Sequence, residues 1–101
     1  MKLKYKIWFE EKGEPVLTEL KYRILKEIKD TGSIKEAANR LGISYKKTLE
    51  HIKVMEKRLG KKVVERKRGK GAKITPEGEK LIKEYREAKR LFDNIVKSLY
   101  R

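Results

Sequence analysis

Ser44-Tyr45-Lys46-Lys47, followed by Leu49, Glu50 and Lys53, sets a hydroxyl, a phenol, three ammonium groups, a carboxylate and an aliphatic side chain along one short stretch. None of them pairs as nucleophile and base, so the chemistry on offer is recognition. Ammonium groups donate to anionic oxygens, and the carboxylate accepts from an amine. A second group, Arg66-Lys67-Arg68 with Lys70 and Lys73, is jointed by Gly69 and Gly71 and has no acidic residue within its tip. A merely solvated loop would not require such one-signed crowding. Ser33 and Lys35 form a third, smaller set, suited to holding phosphate.

The elements that must position these groups follow from periodicity and end signals. Residues 3–9, Leu-Lys-Tyr-Lys-Ile-Trp-Phe, alternate apolar and basic, which predicts a half-buried strand, with Trp8 breaking the alternation and free to cover an edge or a dimer contact. Glu11–Pro15 reads as a turn. Leu17, Leu20, Ile24, Leu25 and Ile28 recur at helical spacing from about Thr18 to Thr31-Gly32. Ser33 with Glu36 three residues later has the form of a capping box. The helix it opens would bury Ile34, Ala37, Ala38 and Leu41 and end at Gly42. Ser44 then caps another helix, with Thr48, Ile52, Met55 and Leu59 on its inner face. Two helices joined so tightly have helix-turn-helix spacing over 33–59.

Beyond Gly60, residues 61–65 and 72–75 read as two strands, and the basic glycine-jointed segment between them is the tip of a wing spanning 61–75. Thr75-Pro76-Glu77 starts a last helix. Along it Leu81, Tyr85, Ala88, Phe92, Ile95 and Leu99 keep heptad spacing, a seam more extensive than so small a domain can cover. A second copy of the chain is the expected cover. The expected organisation is therefore a unit over 1–75 and a dimerisation helix over 76–101. The class is mainly α with a small β component, a winged helix-turn-helix with an N-terminal strand.

The chain has 101 residues, 38% hydrophobic and 44% charged, with a net charge of +14. The charge is unevenly spread: residues 32–75 hold 14 basic and 4 acidic side chains, while 1–31 hold 8 and 6 and 76–101 hold 7 and 5. Solubility alone requires no such central block, and a concentrated positive field points to a polyanion, most often nucleic acid. Cysteine is absent and histidine occurs once, which argues against disulfides and zinc sites. No apolar run is long enough for a membrane span, and Met1-Lys-Leu-Lys-Tyr-Lys6 lacks a signal-peptide layout, so a cytoplasmic protein is expected. The absence of glutamine beside abundant Lys and Glu resembles a thermophile composition.

Ser33, Ala37-Ala38, Leu41, Ile43-Ser44, Ile52 and Met55-Glu56 sit where LysR-type regulators carry their helix-turn-helix pattern. Leu59-Gly60, Val63-Val64, Arg66, Ile74-Thr75, Gly78 and Leu81 continue it. Gly42-Ile-Ser-Tyr-Lys46, with Ile52, Met55 and the leading strand, more closely resembles the N-terminal domain of ModE-type, molybdate-responsive regulators. The resemblance implies a winged helix with a recognition helix at 44–59 and a dimerising last helix. ModE-type regulators usually continue into molybdate-binding modules, but nothing in the residues through Arg101 calls for metal-oxyanion sensing, a cofactor or a small-molecule effector.

The expected function is a homodimeric, sequence-specific regulator of transcription on double-stranded DNA. Ser44, Tyr45, Lys46, Lys47, Leu49, Glu50 and Lys53 would work at the major groove, with Lys46 donating to guanine, Glu50 accepting from cytosine and Leu49 touching a thymine methyl. Arg66, Lys67, Arg68, Lys70 and Lys73 would grip backbone or minor groove. A non-specific architectural binder or a protein-interaction module are the alternatives, and Glu50 fits poorly with reading phosphates alone. No metal cluster, nucleophile–base pair or phosphate-cradling motif suggests an enzyme.

Overall fold

The computed structural model describes residues 1–100. Strands β1 (Phe9–Glu11) and β2 (Glu14–Leu17) form an antiparallel hairpin, followed by helices α1 (Glu19–Thr31), α2 (Ile34–Leu41) and α3 (Tyr45–Leu59). Strands β3 (Val64–Arg66) and β4 (Ala72–Ile74) make the second hairpin, and α4 (Pro76–Leu99) closes the order.

Each helix begins where a short hydroxyl side chain can take a backbone N–H that has no partner within the helix. Thr18, Ser33, Ser44 and Thr75 accept from the amides of Lys21, Glu36, Lys47 and Gly78 respectively. The first three helices end on Gly32, Gly42 and Gly60, all with left-handed backbone. Only half of the capping box at Ser33 forms. The Ser33 amide donates not to Glu36 but to Thr31 Oγ1 at 3.2 Å, and the Thr31 hydroxyl also reaches the Glu27 carbonyl at 2.7 Å. Thr31 thus ties the end of α1 to the start of α2.

The apolar stripes of the helices meet in one core. Ile24, Leu25 and Ile28 of α1 pack with Ala37 of α2, Ile52 and Met55 of α3, and Ile82 and Tyr85 of α4. Burying each large side chain contributes about 1.5–3 kcal/mol. Gly78 shows how closely the last helix approaches the wing, because a Cβ there would stand 2.4 Å from the Val63 carbonyl oxygen. Thr75 fastens the same corner by donating to the Lys62 carbonyl at 2.7 Å.

Three expectations need correction. The N-terminal strand lies at Phe9–Glu11, not over 3–9, and pairs with Glu14–Leu17, so the turn shrinks to Lys12-Gly13. Leu3 and Lys4 are both exposed, and residues 4–8 do alternate in exposure, but their inner side lies along α4. There Tyr5 donates to Asp93 and stands 6.2 Å from the Phe92 ring, and Tyr85 Oη lies 3.5 Å from the Ile7 carbonyl. Leu17, placed by periodicity at the start of α1, instead ends β2, fully buried. Tyr85, expected on the dimer seam, is 2% exposed, stacked on Tyr22 at 4.6 Å with Phe9 beside it, so it belongs to the protomer's own core.

Candidate nucleic-acid interface

Helix α3 lies with Thr48, Ile52 and Met55 inward, which turns the opposite face outward. Tyr45, Lys46, Lys47, Glu50 and Lys53 are exposed on it and Leu49 is half-buried. Ser44 Oγ is engaged in capping, accepting from the Lys47 amide at 3.0 Å. Its role is therefore to end the helix cleanly at the tip, where the amides of the first turn remain directed outward.

Every other helix carries a carboxylate in its first turn: Glu19 in α1, Glu36 in α2, Glu77 and Glu79 in α4. Helix α3 has none, and holds Lys46 and Lys47 there. Cations at the positive end of a helix dipole cost a few tenths of a kcal/mol or more. The same end, with its free amides, is suited to an anion.

The wing stands beside this tip. Its turn closes through the Lys67 amide to the Gly71 carbonyl at 3.1 Å and the Lys70 amide to the Lys67 carbonyl at 2.9 Å. Its return strand is anchored where the Ala72 amide donates to the Gly32 carbonyl at 2.9 Å. Gly71 makes this possible, since a Cβ there would stand 2.4 Å from that carbonyl oxygen. Arg66 Nη1 lies 3.5 Å from Tyr45 Oη, joining wing to helix.

Between α3, the start of α2 and the wing runs an open cleft of about 630 Å³. Ser33, Lys35, Tyr45, Leu49, Lys53, Arg66, Lys67 and Arg68, all anticipated from sequence, line it together. Lys46, Lys47 and Glu50 lie outside its wall on the exposed tip of α3, and Lys70 on the wing turn. Lys73 sits across the hairpin from Glu65, on the face away from the cleft. Two charged lining residues, Glu56 and Lys62, were not among the contacts expected from the sequence. Glu56 Oε2 accepts from the amides of Val63 at 2.9 Å and Val64 at 3.3 Å, fixing where the wing leaves α3. Its place one turn before Gly60 was the available signal.

The charges of this surface are distinguished by how many unpaired cations gather in one place. Elsewhere some cations are paired, as in Lys29–Glu79 at 2.8 Å, Arg40–Glu27 at 3.1 Å and Arg58–Glu14 at 3.2 Å. Others, such as Lys12, Arg23, Lys57 and Lys83, are scattered over the surface in no salt bridge among the described residues. Among the described residues, none of Lys35, Lys46, Lys47, Lys53, Arg66, Lys67, Arg68, Lys70 or Lys73 is in a salt bridge. Also among the described residues, no cluster of His, Cys, Asp or Glu could hold a metal ion, and no helix is long and apolar enough to cross a membrane.

Comparison with known proteins places this geometry. The model of the bacterial regulatory helix-turn-helix proteins of the lysR family matches residues 21–79, more than half of the chain. The transcriptional regulator ModE of Haemophilus influenzae is 37% identical over 67 residues, covering 62% of this chain and 26% of that protein. The molybdenum-pterin-binding protein MopB of Rhodobacter capsulatus is 42% identical over 66 residues, covering 61% of this chain and 24% of its own length. The chain thus spans about a quarter of these relatives. Among solved structures, the CbnR_DBD–DNA complex superposes with a TM-score of 0.67 at 20% identity, over 81% of this chain and 97% of that one. At that identity the likeness speaks for the fold, a winged helix.

Proposed function

The chain belongs to the lysR family of bacterial regulatory helix-turn-helix proteins, and from that premise we propose that it is a sequence-specific, double-stranded-DNA-binding transcription regulator. The observation that carries this reading is the unpaired positive charge gathered on the tip of α3 and on the wing, around one open cleft. Phosphates supply the compensation that the protein itself withholds there. The tip of α3 enters the major groove, where Lys46 donates to guanine O6 or N7, Glu50 accepts from cytosine N4 and Leu49 meets a thymine methyl. Arg66, Lys67, Arg68 and Lys70 take the backbone or the adjacent minor groove, with Lys73 as an outer phosphate contact. Residues 33–59 and 61–75 act as one DNA-reading unit within 1–75. The likeness to a domain solved on DNA and to a relative called a transcriptional regulator supports the reading.

The active form in this proposal is a cytoplasmic homodimer joined by the distal half of α4. Phe92, Ile95 and Leu99 are 48%, 53% and 70% exposed there, and Leu81 and Ala88 are half-buried nearer the core. Selection of bound duplexes from a random pool tests the assignment, with a palindrome of half-sites about 34 Å apart, or a multiple, as the expected result. In gel shifts on the selected duplex, Lys46→Ala should cost about 1–3 kcal/mol and relax preference at the base it touches. Replacing Arg66, Lys67 and Arg68 with alanine should lower affinity on every duplex about equally. Unchanged binding by both variants would overturn the reading.

A further inference from the structure

Directly behind the recognition helix, on the side away from the cleft, lies a contact that DNA reading does not use. Lys21 of α1 is 9% exposed and pairs with no carboxylate among the described residues, and its Nζ lies 3.2 Å from Nδ1 of His51 on α3. An ammonium group only donates, so Nδ1 must be the acceptor, which requires a neutral imidazole carrying its proton on Nε2. A protonated His51 would set two cations 3.2 Å apart in a half-buried place, and its Nδ1 could no longer accept from Lys21.

We propose that Lys21 and His51 are a positioning pair that seats the recognition helix on α1, and that proton uptake at His51 loosens the seat and weakens DNA binding. The second half of this rests on the DNA-binding function proposed above. The charged groups facing the pair favour the neutral imidazole. Lys21 comes from α1 and Lys47 from α3, and both oppose a positive His51, while Glu50 of α3 is the one favourable neighbour. Arg58 of α3 faces Lys21, and Glu14 of β2 is already paired with Arg58 at 3.2 Å. Burial, then Lys21 and Lys47, holds the His51 pKa below its ordinary 6.5. Burial, with Arg58, likewise lowers that of Lys21.

The sign of the pH effect follows. With the folded-state pKa below 6.5, the unfolded chain takes up this proton first on acidification. Stability is therefore full above pH 6.5 and is lost as pH falls from there through the folded value. His51 is the chain's only histidine and cysteine is absent, so it is the one side chain with an ordinary pKa between pH 5 and 8.

NMR titration of the imidazole in the full chain tests the pair, because a single set of ring signals reports it. The expected result is an Nε2–H tautomer with a pKa below the ordinary value, rising when Lys21→Met removes the ammonium. A titration that Lys21→Met leaves unmoved would overturn the pair. His51→Asn keeps an acceptor at the Nδ1 position but cannot charge. Between about pH 7.5 and about pH 5.5, wild-type affinity for the selected duplex should fall several-fold more than that of His51→Asn, one proton allowing at most about tenfold per pH unit. Parallel pH profiles for the two proteins would overturn the gating. Failure to bind DNA at any pH would instead strike the function proposed above, since the NMR titration reads the pair without DNA.

Discussion

At the scale of single residues, the site depends on side chains that never need to touch DNA. Glu56 satisfies two consecutive wing amides from the last turn of α3, with its side chain only 16% exposed. Removing it leaves both donors without their charged acceptor, and hydrogen bonds to charged groups are worth about 1.5–3 kcal/mol. Glu56→Ala should destabilise the fold by that amount in denaturant unfolding, with Glu56→Gln recovering part of the loss. An unchanged midpoint for the alanine variant would remove Glu56 from the account. Sequence position alone could place Lys46 and Arg66, because cap and turn signals are local. It could not reveal Lys21 against His51, 30 residues apart, because such a contact exists only once α1 and α3 are packed.

At the scale of elements, the helices were legible because their ends are local chemistry. Ser33, Ser44 and Thr75 cap where the pattern placed them, and Thr18, read only as the approximate start of α1, turns out to cap it. The first strand was less so. Alternation over 3–9 reports that one side is covered but not by what, and α4 covers it here through Tyr5, with no strand pairing residues 3–8 among the described residues. Heptad spacing has the same ambiguity: it placed Tyr85 and Ile95 on one seam, yet Tyr85 is spent on Tyr22 and Phe9 while Ile95 stays open. The prediction at this scale concerns the open part. Ile95→Asp with Leu99→Asp removes two side chains whose burial would contribute about 1.5–3 kcal/mol each. That should weaken a dimer by roughly 100-fold or more, at about 1.4 kcal/mol per tenfold. Sedimentation velocity reads the change, and identical profiles for variant and wild type would contradict the proposed dimer through this face.

At the scale of the whole molecule, the distribution of charge matters more than its total. The chain pairs some cations within the fold, as Arg58 and Glu14 do between α3 and β2. It gathers its densest group of unpaired ones around the cleft and on the tip of α3, where Lys62 beside Glu56 is the paired exception among the described residues. That division makes binding an exchange of condensed counterions for lysine and arginine, so its strength must depend on salt. Tyr5 marks the opposite end. Its hydroxyl donates to Asp93, which pushes its pKa up to about 12, and Lys89 lies 5.5 Å over its ring, locking the N-terminal segment to α4 away from the cleft.

The most direct test is equilibrium binding of the full chain to its selected duplex and to a scrambled one, across about 50 to 200 mM salt. Contact with some 6–10 phosphates by a dimer predicts a loss of roughly 10³–10⁵ in affinity over that range, with the selected duplex bound more tightly throughout. Affinity that ignores salt, or that is equal on both duplexes, would contradict the account.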